Sequence, residues 1–93
     1  MYSLLYTSAY RKGRRLMARR GYDMAKLDRT ISLLIKGESL PASYRDHQLK
    51  GDLKKDRECH VEGAPDWLLT YRKDDKRLIL LLTGTGTHSD LFE

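Results

Sequence analysis

The apolar residues of this chain change period once along its length, and that change limits the folds open to it. Met24, Leu27, Ile31, Leu34 and Ile35 recur every three or four residues, the spacing of one buried helix face. Asp23 supplies an N-cap for that helix, and Lys36 with Gly37 supplies its end. The segment before it reads as a second helix, capped by Thr7 or Ser8, running to about Arg20 and stopped by Gly21. Its apolar positions Ala9, Leu16 and Met17 are few, and Gly13 weakens it by about 1 kcal/mol relative to alanine. Met1 to Thr7 reads as a strand.

After Pro41 the helical period is gone. Residues 41 to 55 are polar and irregular. Three strands then follow, at Arg57 to Glu62, Trp67 to Lys73 and Lys76 to Thr83. Gly63-Ala64-Pro65 breaks the first from the second, and Asp74-Asp75 is the turn of a hairpin between the last two. The run Ile79 to Leu82 is apolar on both faces, which predicts an interior strand covered on each side. Gly84 and Gly86 loosen the chain before His88. The order βααβββ, helices first and sheet later, predicts a two-layer α+β fold.

Ninety-three residues make one domain, 1–93. No apolar run is long enough to span a bilayer. The start, Met1 to Tyr6, lacks the basic and apolar regions of a signal peptide, so a cytoplasmic location is expected. The single Cys59 cannot form an internal disulfide and agrees with a reducing compartment. It reads as a small buried hydrophobe. Eighteen Lys and Arg against thirteen Asp and Glu give +5. Arg11, Lys12, Arg14, Arg15, Arg19 and Arg20 fall together, and Lys50, Lys54, Lys55 and Arg57 form a second set. Such clusters favour polyanions through phosphate contacts and counterion release. An acidic protein partner, or simply a solvated helix face, fits the same clusters.

All three histidines lie in the C-terminal half, in Arg45-Asp46-His47, Glu58-Cys59-His60-Val61-Glu62 and Gly86-Thr87-His88-Ser89-Asp90. Histidine alone titrates near neutrality without perturbation. If strand ends and loops bring these three together beside a basic set, they suit cleavage of RNA. A 2′-hydroxyl must lose a proton and a leaving 5′-oxygen must gain one, while fixed cations stabilise charge on the phosphate. That chemistry needs no metal or other cofactor. Three histidines also admit zinc, but their spacings match no compact zinc pattern. Asp66 can orient a histidine. Trp67 and Phe92 can stack on bases, or can equally be a core residue and a tail anchor.

At these residues the chain resembles the YafQ-type toxins of the RelE/ParE superfamily. The pieces that carry the resemblance are Tyr6-Thr7, Arg20-Gly21-Tyr22-Asp23, Leu40-Pro41, Tyr44-Arg45-Asp46-His47 and Leu49-Lys50-Gly51. They continue in Arg57-Glu58-Cys59-His60-Val61-Glu62, Pro65-Asp66-Trp67-Leu68-Leu69 and Thr85-Gly86-Thr87-His88-Ser89-Asp90-Leu91-Phe92. The resemblance implies two N-terminal helices packed on an antiparallel sheet. It implies a ribosome-dependent endonuclease of a type II toxin–antitoxin pair, which cuts mRNA in the ribosomal A site and leaves a 2′,3′-cyclic phosphate. It implies a DinJ-like antitoxin and, through their complex, contact with operator DNA. Carried over by motif, His47 and His88 become the general base and acid in unassigned order. His60 and Asp66 position the substrate and tune that pair, and Phe92 contacts a base.

The chain departs from the family pattern in three places. Gly63-Ala64 lengthens the loop before Asp66. Gly84 stands where the family carries an arginine, which leaves Arg57, Lys50 or Lys54 to hold the phosphate. Leu53 and Lys55 replace an aromatic residue and a glycine. A protein-binding toxin of the same fold, such as a ParE-like inhibitor of DNA gyrase, is the competing reading. Retention of the three histidines with Asp66 favours the nuclease.

Overall fold

The computed structural model describes residues 1–51 and 55–92. Its elements are β1 (Ser3–Tyr6), α1 (Ser8–Arg19), α2 (Met24–Ile35), β2 (His47–Gln48), β3 (Arg57–His60), β4 (Leu68–Asp74), β5 (Ile79–Gly86) and α3 (His88–Phe92). The helical hairpin forms where its caps lie. Thr7 Oγ1 accepts the Tyr10 amide at 3.1 Å, and Asp23 Oδ1 accepts the Ala25 amide at 3.0 Å. Gly21 and Gly37 take the left-handed φ that closes each helix, at 88° and 76°.

The strands form one sheet in the order β1-β5-β4-β3-β2. The pairs among β2 to β5 are antiparallel, but β1 joins β5 in parallel. The parallel pairing follows from the connection. A chain that leaves β1, forms two helices over one face and returns through β3 and β4 arrives at β5 running the same way as β1. Tyr10, Met17, Leu27, Ile31 and Leu34 of the helices meet Cys59, Leu69, Tyr71, Leu80 and Leu82 of the sheet in one core. Each fully buried Leu or Met there contributes about 1.5–3 kcal/mol. This is the expected two-layer α+β arrangement.

Four local expectations are corrected. β5 begins and ends three residues later than expected, so Gly84 and Gly86 are strand residues rather than a loosened connection. β5 is interior, yet its run Ile79 to Leu82 is covered on one side only, since Leu80 and Leu82 are buried while Ile79 and Leu81 are part-exposed. α1 and α2 occupy one face, and on the other the short α3 lies over the end of β5, with Leu91 against Gly84. The strand expected to reach Glu62 stops at His60, because Val61–Gly63 turns as a 3₁₀ segment with Glu62 at φ 48°. The irregular stretch contains β2, and α3 had no counterpart in the periodicity because five residues are too few to show one.

Gly13 has a reason that helix propensity does not contain. α1 crosses β5 so closely that a Cβ at Gly13 would run into the Thr85 carbonyl. Gly13→Ala should therefore destabilise the protein by about 1–3 kcal/mol through overpacking. On propensity alone it would stabilise by about 1 kcal/mol. Urea unfolding of the two proteins gives the sign.

Candidate active site

Alternation along β3 turns Cys59 toward the helices and Glu58 and His60 to the opposite face. The register carries that face across the sheet, pairing Glu58 with Thr70 and Gly84, and His60 with Leu68 and Gly86. His47 pairs with Glu58 across the β2–β3 ladder. His88 opens α3 directly after β5. Its ring centroid lies 6.1 Å from that of His60 and 6.4 Å from that of Phe92.

Each histidine is held differently. His88 Nδ1 lies 2.8 Å from Asp66 Oδ1, and the His88 backbone N–H donates to the same oxygen at 2.9 Å. A carboxylate accepts only, so Nδ1 carries the proton and Nε2 is the nitrogen left for other work. The backbone N–H first, then the ring, holds the Asp66 carboxyl below its usual range. His60 is buried, and its Nδ1 donates to the Ala64 carbonyl at 2.7 Å. That carbonyl belongs to the Gly63-Ala64 pair that lengthens the loop, so the extra residues buttress the site. Arg29 fixes the same loop by a two-point contact to Glu62, at 2.6 and 3.1 Å. His47 Nε2 lies 3.4 Å from Glu58 Oε1, and its Nδ1 lies 3.3 Å from the Gln48 carbonyl. Both distances are longer than a settled hydrogen bond, which leaves that ring free to turn toward a substrate.

The remaining expected residues divide. Phe92 is exposed on α3 and lines a cleft of about 490 Å³ with Lys12, Leu49, Thr83 and Gly84. Trp67 is not a stacking platform. It is 2% exposed, its Nε1 donates to Thr85 Oγ1 at 3.0 Å, and its ring meets Tyr22 edge-on at 5.0 Å. Arg57 is not beside the histidines either. It shares the helix-side parity of Cys59, and both its contacts to Asp46 are 3.3 Å. Asp46 also accepts from the Tyr71 hydroxyl. Lys50 is exposed just beyond β2, and Lys54 lies outside the described residues. Cys59 is buried, and burial pushes its thiol far up, so it stays protonated. Gly84 is closed to larger side chains, since a Cβ there would lie 2.9 Å from Thr70 Oγ1 and 3.3 Å from Leu91. Among the described residues, no three His, Cys, Asp or Glu side chains are grouped to hold a metal ion.

Sequence reasoning missed Glu58. Its signal was available, because a strand at 57–60 puts residues 58 and 60 on one face. It also missed Arg20 and Asp90, whose pairing spans 70 positions and leaves no local pattern.

Known proteins share the fold and much of the sequence. The family model for the bacterial toxin of type II toxin–antitoxin systems, YafQ, matches residues 2–93. The mRNA interferase toxin YafQ of Escherichia coli K12 is 44% identical over 88 residues, which cover 94% of this chain and 91% of the relative. The crystal structure of the E. coli DinJ–YafQ complex matches with a TM-score of 0.89 at 37% identity over 100% of both chains. YafQ from E. coli BL21(DE3) matches at 0.90 and 36%, again over 100% of both. The match over residues 2–93 makes this two-layer α+β chain a toxin of a bacterial type II toxin–antitoxin system. Within that class the chain belongs to the YafQ family.

A lowered carboxyl stabilises the fold above its unfolded pKa, and the contribution is lost as pH falls through the folded value. The Asp66 link to α3 should therefore persist as pH drops past about 3.9, the ordinary aspartate value. It should break only at a lower pH. The His88 amide resonance reports this directly, and Asp66→Asn should remove the transition.

Proposed function

We propose that this chain is an endoribonuclease that cuts mRNA on the ribosome, with His47 and His88 as its proton carriers. The observation that supports this is a contrast in exposure. The His47 and His88 side chains are 53% and 55% exposed, and each leans on a carboxylate, Glu58 or Asp66. His60 is 6% exposed. Glu58 and His60 are two residues apart on β3, about 7 Å along the strand. The exposed rings thus stand on either side of a buried one, on one face.

One carrier takes the proton of the 2′-hydroxyl, whose oxygen then forms a bond to the adjacent phosphorus. The bond from phosphorus to the 5′-oxygen breaks, and the other carrier protonates that oxygen. The products are a 2′,3′-cyclic phosphate and a 5′-hydroxyl. The attacking group belongs to ribose, so DNA is not a substrate. Phe92 contacts a base beside His88. Lys12, in the cleft beside Gly84, helps hold the phosphate in the place of an arginine. The site is open and its His47 contacts are long, so the ribosome completes it and naked RNA is cut poorly. A DinJ-like antitoxin restrains the activity, and operator DNA is met only through their complex. No helix is long and apolar enough to cross a membrane among the described residues, and the reaction belongs in the cytoplasm.

Mapping cleavage on mRNA in translating ribosomes tests the reading. His88→Ala should lower cleavage by at least about 100-fold while antitoxin binding is unchanged. Undiminished cleavage by that variant removes His88 from the mechanism. Continued translation with failing DNA supercoiling, on expression without antitoxin, would replace the reading with gyrase inhibition.

A further inference from the structure

Among the described residues, two of the six basic side chains at 11–20 have a carboxylate partner, Arg14 with Asp28 and Arg20 with Asp90. The second pair is unlike an ordinary surface ion pair. Arg20 Nη1 and Nη2 reach Asp90 Oδ2 and Oδ1 at 2.7 and 3.1 Å, a two-point contact of fixed geometry. The same Oδ2 accepts the Thr87 N–H and the Thr87 hydroxyl, both at 2.9 Å. Asp90 therefore joins the end of α1 to the residue immediately before His88. Gly86 makes room for it, since a Cβ there would lie 2.9 Å from the Asp90 Cβ and 3.0 Å from its Oδ2. Arg20 itself is steadied on Met17, which is fully buried in the core, at 3.5 Å.

We infer that Arg20 and Asp90 are positioning residues for His88, a clamp that fixes the angle of α3 so that the His88 backbone and ring both meet Asp66. The inference rests on the proposed role of His88 in cleavage. α3 has only five residues, too few to hold its own orientation. Long-range contacts hold it instead. Leu91 lies over Gly84, Asp66 holds the first residue, and the clamp holds Thr87 and Asp90. Without the clamp, His88 turns about the end of β5, and a shift of about 1 Å in a catalytic group can cost 100-fold in rate. The clamp also accounts for residues from the end of β5 to the start of α3. Thr85 anchors Trp67 and the Leu68 carbonyl, Gly86 admits Asp90, Thr87 receives it and His88 is aimed by it.

Two variants of the full-length protein test this, Arg20→Ala and Asp90→Asn. Cleavage kinetics on ribosome-bound mRNA and the Asp66 carboxyl titration by NMR are read on each. The expected result is a kcat lower by about 10- to 100-fold with KM within about twofold, and an Asp66 midpoint that rises toward the ordinary carboxylate range. The charges acting on Asp66 are His88, which lowers it, and Asp90, which raises it. Neutralising Asp90 alone would therefore move Asp66 down, so an upward move in Asp90→Asn reports the loss of His88 from its partner. Arg20→Lys should recover part of the rate. An unchanged kcat, or a lowered kcat with an Asp66 midpoint that does not rise, overturns the clamp. If Arg20→Ala does not fold, Asp90→Asn decides alone. If the native protein cuts no mRNA, the nuclease reading fails, while the Asp66 titration still decides whether the clamp aims His88.

Discussion

The seat of α1 on β5 at Gly13 and Thr85 is the contact on which the rest of the molecule depends. No Cβ intervenes there, so helix backbone lies against strand backbone. Thr85 meets three demands at that point. Its carbonyl faces α1, its hydroxyl accepts from the buried Trp67 indole, and the same hydroxyl donates to the Leu68 carbonyl. α1, β4 and β5 are thereby locked in one register. The end of α1 then falls beside α3, and the start of β4 delivers Asp66 to His88. A change at this contact would be felt at the site, although neither residue touches a histidine.

The site itself is organised by acceptors rather than by histidines. Asp66 takes two donors from His88, Ala64 takes one from His60, and Glu58 faces His47. In the first two cases the partner commits Nδ1 and leaves Nε2 as the other nitrogen of the ring. The cations are largely elsewhere. Arg57 belongs to Asp46 and Tyr71 on the helix side, Arg72 is held by Asp56 at 2.8 Å, and Arg29 serves the loop. On the proposed reading, a phosphate at this face meets the histidines before it meets fixed positive charge, in keeping with a site that a larger partner completes.

Much of the fold was legible because its signals are local. The period of Met24 to Ile35, the caps at Thr7 and Asp23, and the stops at Gly21 and Gly37 each act within a few residues. The histidines, Asp66 and Phe92 were legible because their motifs are short and contiguous. Trp67, left open between base stacking and the core, and Arg57, a candidate to hold the phosphate, could not be placed by sequence for one reason. Residue type says what a side chain can do, and strand parity says which face it does it on. A one-residue uncertainty in strand register moves a side chain from the substrate face to the core, and both residues sit where that choice decides the outcome.

The sequence by itself determined the helical hairpin, the order of the longer strands after it and the titratable groups available to the site, since caps, periods and side-chain types belong to single residues and their neighbours. Tertiary structure alone decided the parallel pairing of β1 with β5, the reach of Ala64 to His60, and the closure of Arg20 on Asp90. Each of these depends on where a chain returns after many residues. That return is set by the burial of a shared core, which no local pattern records.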